Sequence, residues 1–159
     1  MFDVNLAERG CNTRLDMLHS LLFGSGDTSR PTDLGLLVLR LGIGLTLALA
    51  HGLGKLPPSD GFIEGTAAMG FPLPVLFAWA AALSEFLGGL LLAVGLATRP
   101  AAVFVSVTMA VAFFVRHGGD LGEGEKAFVF LVAAVALAVA GAGRLSVDAW
   151  IRSKRGGGS

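Results

Sequence analysis

Glu85 is the residue of this chain that most needs a chemical explanation. It is the single charge in a run of twenty-six residues, 73–98. Few other ionisable groups share such surroundings. Arg40 and His51 lie inside a second apolar run, 34–53, while Lys55, His117 and Glu125 flank the ends of such runs. A carboxylate beside an imidazole can pass protons, and a nearby cation can stabilise negative charge developing on a ligand. The composition limits the alternatives. Cys11 is the only cysteine and Tyr is absent. An intrachain disulfide, a CxxC redox pair, a cysteine-rich metal site and tyrosyl acid–base chemistry are therefore excluded. His51, His117, Glu85 and Glu125 show no close HxxH or HxxxH spacing, so no metal site is expected.

Membrane-spanning helices must position these groups. Hydrophobic residues make up 53% of the chain and charged residues only 15%, against roughly 25% charged in a soluble domain. A chain of 159 residues is too small to hide that much apolar surface in one core. Twelve basic and twelve acidic residues cancel, leaving no net field to attract nucleic acid. Four apolar spans stand out, at 34–53, 73–98, 101–115 and 127–143. A membrane crossing takes roughly 20 apolar residues; the first two spans qualify outright and the last two if their helices extend into flanking polar residues. Pro31, Pro57, Pro72, Pro74 and Pro100 punctuate the runs as helix boundaries.

The expected fold is all-α, an integral membrane four-helix bundle at 34–151. A cytoplasmic tail at 1–33 precedes it, with Leu15, Leu18 and Leu22 spaced for an interfacial helix. A second tail, 152–159, ends in a Gly-Gly-Gly-Ser run that reads as an appended linker. Eight basic residues (Arg9, Arg14, Arg30, Arg99, Arg144, Arg152, Lys154 and Arg155) fall on one side and three (Lys55, Arg116 and Lys126) on the other. The excess predicts that both termini are cytoplasmic, with Trp150 at headgroup level. The expected location is the inner membrane, crossed several times.

Helical spacing places Arg40, Gly44, Ala48, His51 and Lys55 on one face of the first span. Ala78, Ala82, Glu85 and Gly89 share a face of the second. Small residues around the charges let two helices approach closely, so these faces are expected to meet. At about 1.5 Å of rise per residue, His51 lies ~25 Å and Glu85 ~20 Å above the cytoplasmic end. Side chains tilt toward their own helix N-terminus, so the two converge. Glu85 is expected to pair with His51, directly or through one water, and with Arg40 as second choice. Lys55, His117 and Glu125 complete an outward-facing polar pocket. Arg40 has two readings: an electrostatic stabiliser of a ligand, or an anchor bonding the carbonyls of a cytoplasmic loop.

The residues then resemble a known family. Leu39-Arg40-Leu41 with His51-Gly-Leu-Gly-Lys55-Leu56, Gly70-Phe-Pro-Leu-Pro74 and Glu85-Phe-Leu-Gly-Gly-Leu90 resemble DoxX proteins in order and spacing. So do Gly95-Leu-Ala-Thr-Arg99, His117, Gly124-Glu125 and Gly143-Arg-Leu-Ser-Val-Asp148. The resemblance covers about residues 34–151. It implies a bacterial inner-membrane protein tied to quinone-linked oxidoreduction, similar to the small subunit of thiosulfate:quinone oxidoreductase. The expected function is thus a membrane subunit binding a quinone or similar small apolar redox molecule. Glu85 would deliver protons, His51 would hydrogen-bond the quinone, and Arg40 or Lys55 would stabilise charge. No flavin, haem or iron–sulfur motif is present, so electrons would come from a partner protein subunit or another bound cofactor. Expected partners are membrane lipid, that subunit and a second copy of the chain. Two rivals remain: a non-catalytic membrane anchor or assembly subunit, and a small-molecule or metal carrier.

Overall fold

The computed structural model describes residues 29–156. Among them are six helices and no strand: α1 (Arg30–Lys55), α2 (Asp60–Ala68), α3 (Pro74–Val94), α4 (Thr98–Arg116), α5 (Leu121–Ala140) and α6 (Val147–Gly156). The helix expected around Leu15 to Leu22 lies outside the described residues.

The helix boundaries follow from local chemistry. Pro31 and Pro74 sit at first-turn positions, where a missing N–H costs nothing. Ser59 Oγ accepts from Phe62 N at 3.3 Å to cap α2, and Asp120 Oδ1 accepts from Gly122 N at 2.8 Å to cap α5. Gly95 ends α3 in the left-handed region, φ 70°, and Leu96 N closes back onto Leu91 O at 3.0 Å.

Apolar side chains face outward. On α1 the exposed residues Leu34, Val38, Leu41, Leu45 and Leu49 recur every three or four positions, a continuous stripe that suits lipid and not water. Val103 and Val107 on α4, and Val132, Val135 and Val139 on α5, are likewise exposed. The interior is small and tight, with Ala48, Ala78, Ala82, Ala102 and Ala134 fully buried around Leu47, Leu92, Val105 and Leu137. Helices α1, α3 and α4 are long and apolar enough to cross a membrane. Helix α5 is 20 residues long and carries Glu123, Glu125 and Lys126 in its first turns.

Helices α1 and α3 meet backbone to backbone, as the small-residue spacing anticipates. A Cβ on Gly44 would reach the Gly89 carbonyl at 2.5 Å, and one on Gly52 would reach the Phe86 amide nitrogen at 2.5 Å. The long helices are not uniform. Thr46–Gly52 in α1, Ser84–Gly88 in α3 and Val111–Arg116 in α4 are π-helical. Each holds more residues per turn than an α-helix and shifts the face that later residues present.

A second set of contacts ties together the end of the bundle where α1 begins and α3 finishes. Arg40, fully buried, donates from Nη2 to the Leu145 carbonyl at 2.6 Å. Asp148 accepts from Ala97 N at 2.8 Å and Thr98 N at 3.0 Å, capping α4 from a distant part of the chain. Asp33 Oδ1 accepts from Arg144 N at 2.8 Å. These contacts clasp the start of α6 and the loop before it onto α1 and α4.

Candidate functional site

At the other end of the bundle the helices enclose a cavity of about 560 Å³, within the ordinary range for small-molecule sites. All three π-helical segments contribute to its wall: His51 from α1, Glu85 from α3, and Val111, Ala112 and Arg116 from α4. Phe62 and Thr66 of α2 and Met69 just after it close another side, and Phe104 and Phe130 enter from α4 and α5. The lining is mostly apolar, with its charges grouped.

The central polar feature is an ion pair. Lys55 Nζ donates to Glu85 Oε1 at 2.5 Å and to Oε2 at 2.6 Å. The Glu85 side chain is 4% exposed and the Lys55 side chain 34%. The ammonium also lies 5.4 Å from the Phe62 ring centroid, a cation–π distance. The Glu85–His51 pair expected from α-helical spacing is therefore replaced by Glu85–Lys55. The cause is local geometry. The π-helical stretch Thr46–Gly52 and the 3-10 turn Leu53–Lys55 re-aim the side chains beyond residue 46. Gly52 lies directly against Glu85 and Phe86, so the long Lys55 side chain, one turn further out, reaches back to the carboxylate. His51 lines the same cavity but sets its ring edge-on to Phe130, with centroids 5.4 Å apart.

The structure thus gathers four of the expected residues, Glu85, His51, Lys55 and His117, around one cavity. Two others lie elsewhere. Arg40 is at the opposite end of the bundle from the cavity, bonded to Leu145 O with the Asp148 carboxylate as its neighbouring charge. That is the geometry of an anchor, and Arg40 contributes nothing to the cavity wall. Glu125 is exposed on α5 and does not line the cavity. The face of α5 that does so carries Glu123, Lys126, Ala127 and Phe130, spaced by three and four. Glu125 falls on the opposite side, and Gly124 beside it packs against Phe113 and His117.

Glu123, Lys126 and Arg116 are cavity residues that sequence reasoning missed. The i, i+3, i+4, i+7 pattern from 123 to 130 was the available signal, once Asp120 is taken as the helix cap. Ser84, buried beside Glu85, was also missed; it is bonded to Thr108 at 2.9 Å. Among the described residues no three His, Cys, Asp or Glu side chains gather as a metal site would need.

The comparisons with known proteins agree with the motif order. The DoxX family model matches residues 35–118, over half of the chain. The chain belongs to the DoxX family. It is 30% identical over 128 residues to "Putative oxidoreductase CatD" of Bacillus subtilis (strain 168), covering 79% of this chain and 93% of that protein. It is also 30% identical over 123 residues to "Inner membrane protein YphA" of Escherichia coli (strain K12), covering 71% and 87% respectively. No solved structure matches the chain significantly. As a DoxX protein with three long apolar helices and an inner-membrane relative, it is a multi-pass membrane protein. Arg40, His51, Lys55 and Glu85 all fall inside the matched region.

Proposed function

We propose that this DoxX protein is the membrane subunit of a quinone-linked oxidoreductase system and that the outer cavity holds a quinone. The observation that carries this reading is the Lys55–Glu85 ion pair in the wall of an otherwise apolar cavity of about 560 Å³. A quinone offers a flat apolar ring and carbonyl acceptors, and it carries electrons as two-electron, two-proton chemistry. The donor set fits. Lys55 and His51 can donate to a carbonyl oxygen, the phenylalanines pack against a ring, and Glu85 holds the ammonium in place. Glu85 and Lys55 can pass a proton between them and on to a bound carbonyl oxygen, with Arg116, Glu123 and Lys126 lining the same cavity. The relative named as an oxidoreductase supports the redox assignment. Electrons enter from a partner subunit.

The same reading makes α5 a fourth crossing, with both ends of the chain cytoplasmic and the cavity facing outward. Consecutive antiparallel packing of the long helices and the basic residues around α6 support that arrangement.

Organic extraction of the protein purified from native membranes, followed by chromatography, tests the reading. Bound quinone is expected, together with saturable binding of added decylubiquinone. Glu85→Gln should keep the helical content yet abolish quinone-linked turnover in the native complex. Recovery of no quinone and no binding of the added compound would leave the anchor reading in its place. Stoichiometric copper or another metal would favour the carrier.

A further inference from the structure

Exposed residues line the cavity on two sides, and they differ in kind. At the outer rim the lining residues Arg116, Glu123 and Lys126 are charged, and Arg116 and Glu123 are exposed. On the flank the lining residues Phe77, Phe104 and Val107 are 39%, 54% and 59% exposed. These three form an exposed apolar flank of the cavity between α3 and α4, and exposed lining on that side points to an opening there.

The shape of that opening depends on how α3 and α4 are joined below it. Toward the inner end the two helices touch: a Cβ on Gly88 would meet Val105 Cγ2 at 2.8 Å. One turn further out, Thr108 Oγ1 donates to Ser84 Oγ at 2.9 Å. Beyond that bond both helices line the cavity, α3 through Phe77, Ala80 and Ala81 and α4 through Val107, Val111 and Ala112. The result is a slot closed at the bottom by a hydroxyl pair and flanked by small side chains on the α3 side. Glu85 follows Ser84 directly, so the floor of the slot adjoins the ion pair.

We propose that this slot is a lateral portal through which the ligand enters from the bilayer. The ligand is then a lipid-dissolved amphiphile: a polar ring sits at Lys55–Glu85 and an apolar tail leaves between α3 and α4. This rests on the quinone reading for the ring, whereas the portal stands on the slot itself. An apolar tail has no place at the charged outer rim, and a small water-soluble ligand would have no use for an apolar flank opening.

Two measurements in lipid nanodiscs test it. The first compares binding of decylubiquinone with the tail-less 2,3-dimethoxy-5-methylbenzoquinone. Val107→Trp, at the exposed α4 edge of the slot, should weaken the tailed compound by about tenfold and the tail-less one by under about twofold. Equal loss of both, or loss of neither, overturns the portal. The second needs no quinone. With the lone Cys11 replaced by Ser, Ala112→Cys places a thiol in the cavity wall, where Ala112 is half-buried. A long-chain N-alkylmaleimide dissolved in the bilayer should label it faster than a charged, impermeant methanethiosulfonate, and Val107→Trp should slow only the former. The reverse order shows entry at the aqueous rim and overturns the portal. If neither quinone binds wild-type protein while the alkyl reagent still enters by the slot, the quinone reading fails and the portal stands.

Discussion

Removing one half of the Lys55–Glu85 pair should cost different amounts depending on which half is removed. The Glu85 side chain is 4% exposed, whereas Lys55 is 34% exposed. In Lys55→Met the carboxylate stays buried without its two bonds. Breaking a fully buried pair costs about 3–5 kcal/mol, and a lone charge at mid-membrane about 2.5–3.5 kcal/mol. Both figures need discounting here, because the cavity admits water and the ammonium was already a third exposed. About 2–3 kcal/mol is the expected loss. In Glu85→Gln the ammonium can swing toward the rim on its flexible stem, and the amide keeps one acceptor. About 1 kcal/mol is then lost, near the net value of a single hydrogen bond. The double variant Lys55→Met with Glu85→Gln leaves no orphaned charge and should recover most of the larger loss. Chemical denaturation in mixed micelles, followed by circular dichroism, gives the four free energies of the cycle. Equal single-variant losses that simply add in the double variant would show that the two groups do not interact, and the site description would fall with them.

Other outcomes rest on the packing and the topology. Gly44→Ala should destabilise the bundle by several kcal/mol, because its Cβ would press on the Gly89 carbonyl at 2.5 Å, whereas Gly42→Ala meets nothing within 4 Å and should stabilise by about 0.5–1 kcal/mol; thermal unfolding of the two in one detergent compares them directly. Asp148→Ala removes the side-chain cap on α4 and should cost about 1–2 kcal/mol without changing the affinity of the distant cavity for decylubiquinone. In a Cys11→Ser background, single cysteines at Asp3 or Ser153 should resist an impermeant thiol reagent in intact cells, and labelling from outside would reverse the proposed orientation.

Much of the bundle was legible because two signals are strong in a single sequence. Uninterrupted apolar runs must be buried in lipid, and Gly44, Ala48 and Gly89 at helical spacing announce where two helices touch. Glu85 stood out for the same reason, as a lone charge in such a run. Its partner was not legible. The choice of Lys55 over His51 depends on the π-helical turns, and nothing in the residue types of Thr46–Gly52 marks an extra residue per turn. Arg40 showed the limits in another way. Its carbonyl partner, Leu145, lies 105 positions away, and only the folded chain brings them together. Glu125 is expected in the pocket because it starts the fourth apolar span, and a rotation of α5 by one or two positions hands that place to Glu123 and Lys126.

The clasp of α6 and its preceding loop onto α1 and α4 also bears on how the protein is made. The Leu145 carbonyl that holds Arg40 and the Asp148 carboxylate that caps α4 both come from chain that leaves the ribosome after α5. Until it emerges, the first helix resides in the bilayer with a guanidinium that has yet to meet its acceptor, and α4 begins with its leading amides open. The clasp therefore closes only after α1, α3, α4 and α5 have all been made. A chain released early, after Ala140, would carry all four long helices and still display Arg40 unsatisfied, the kind of exposed charge by which membrane proteases can tell an unfinished polytopic protein from a finished one. Pulse-chase of that truncation beside the full chain would show it as a difference in lifetime.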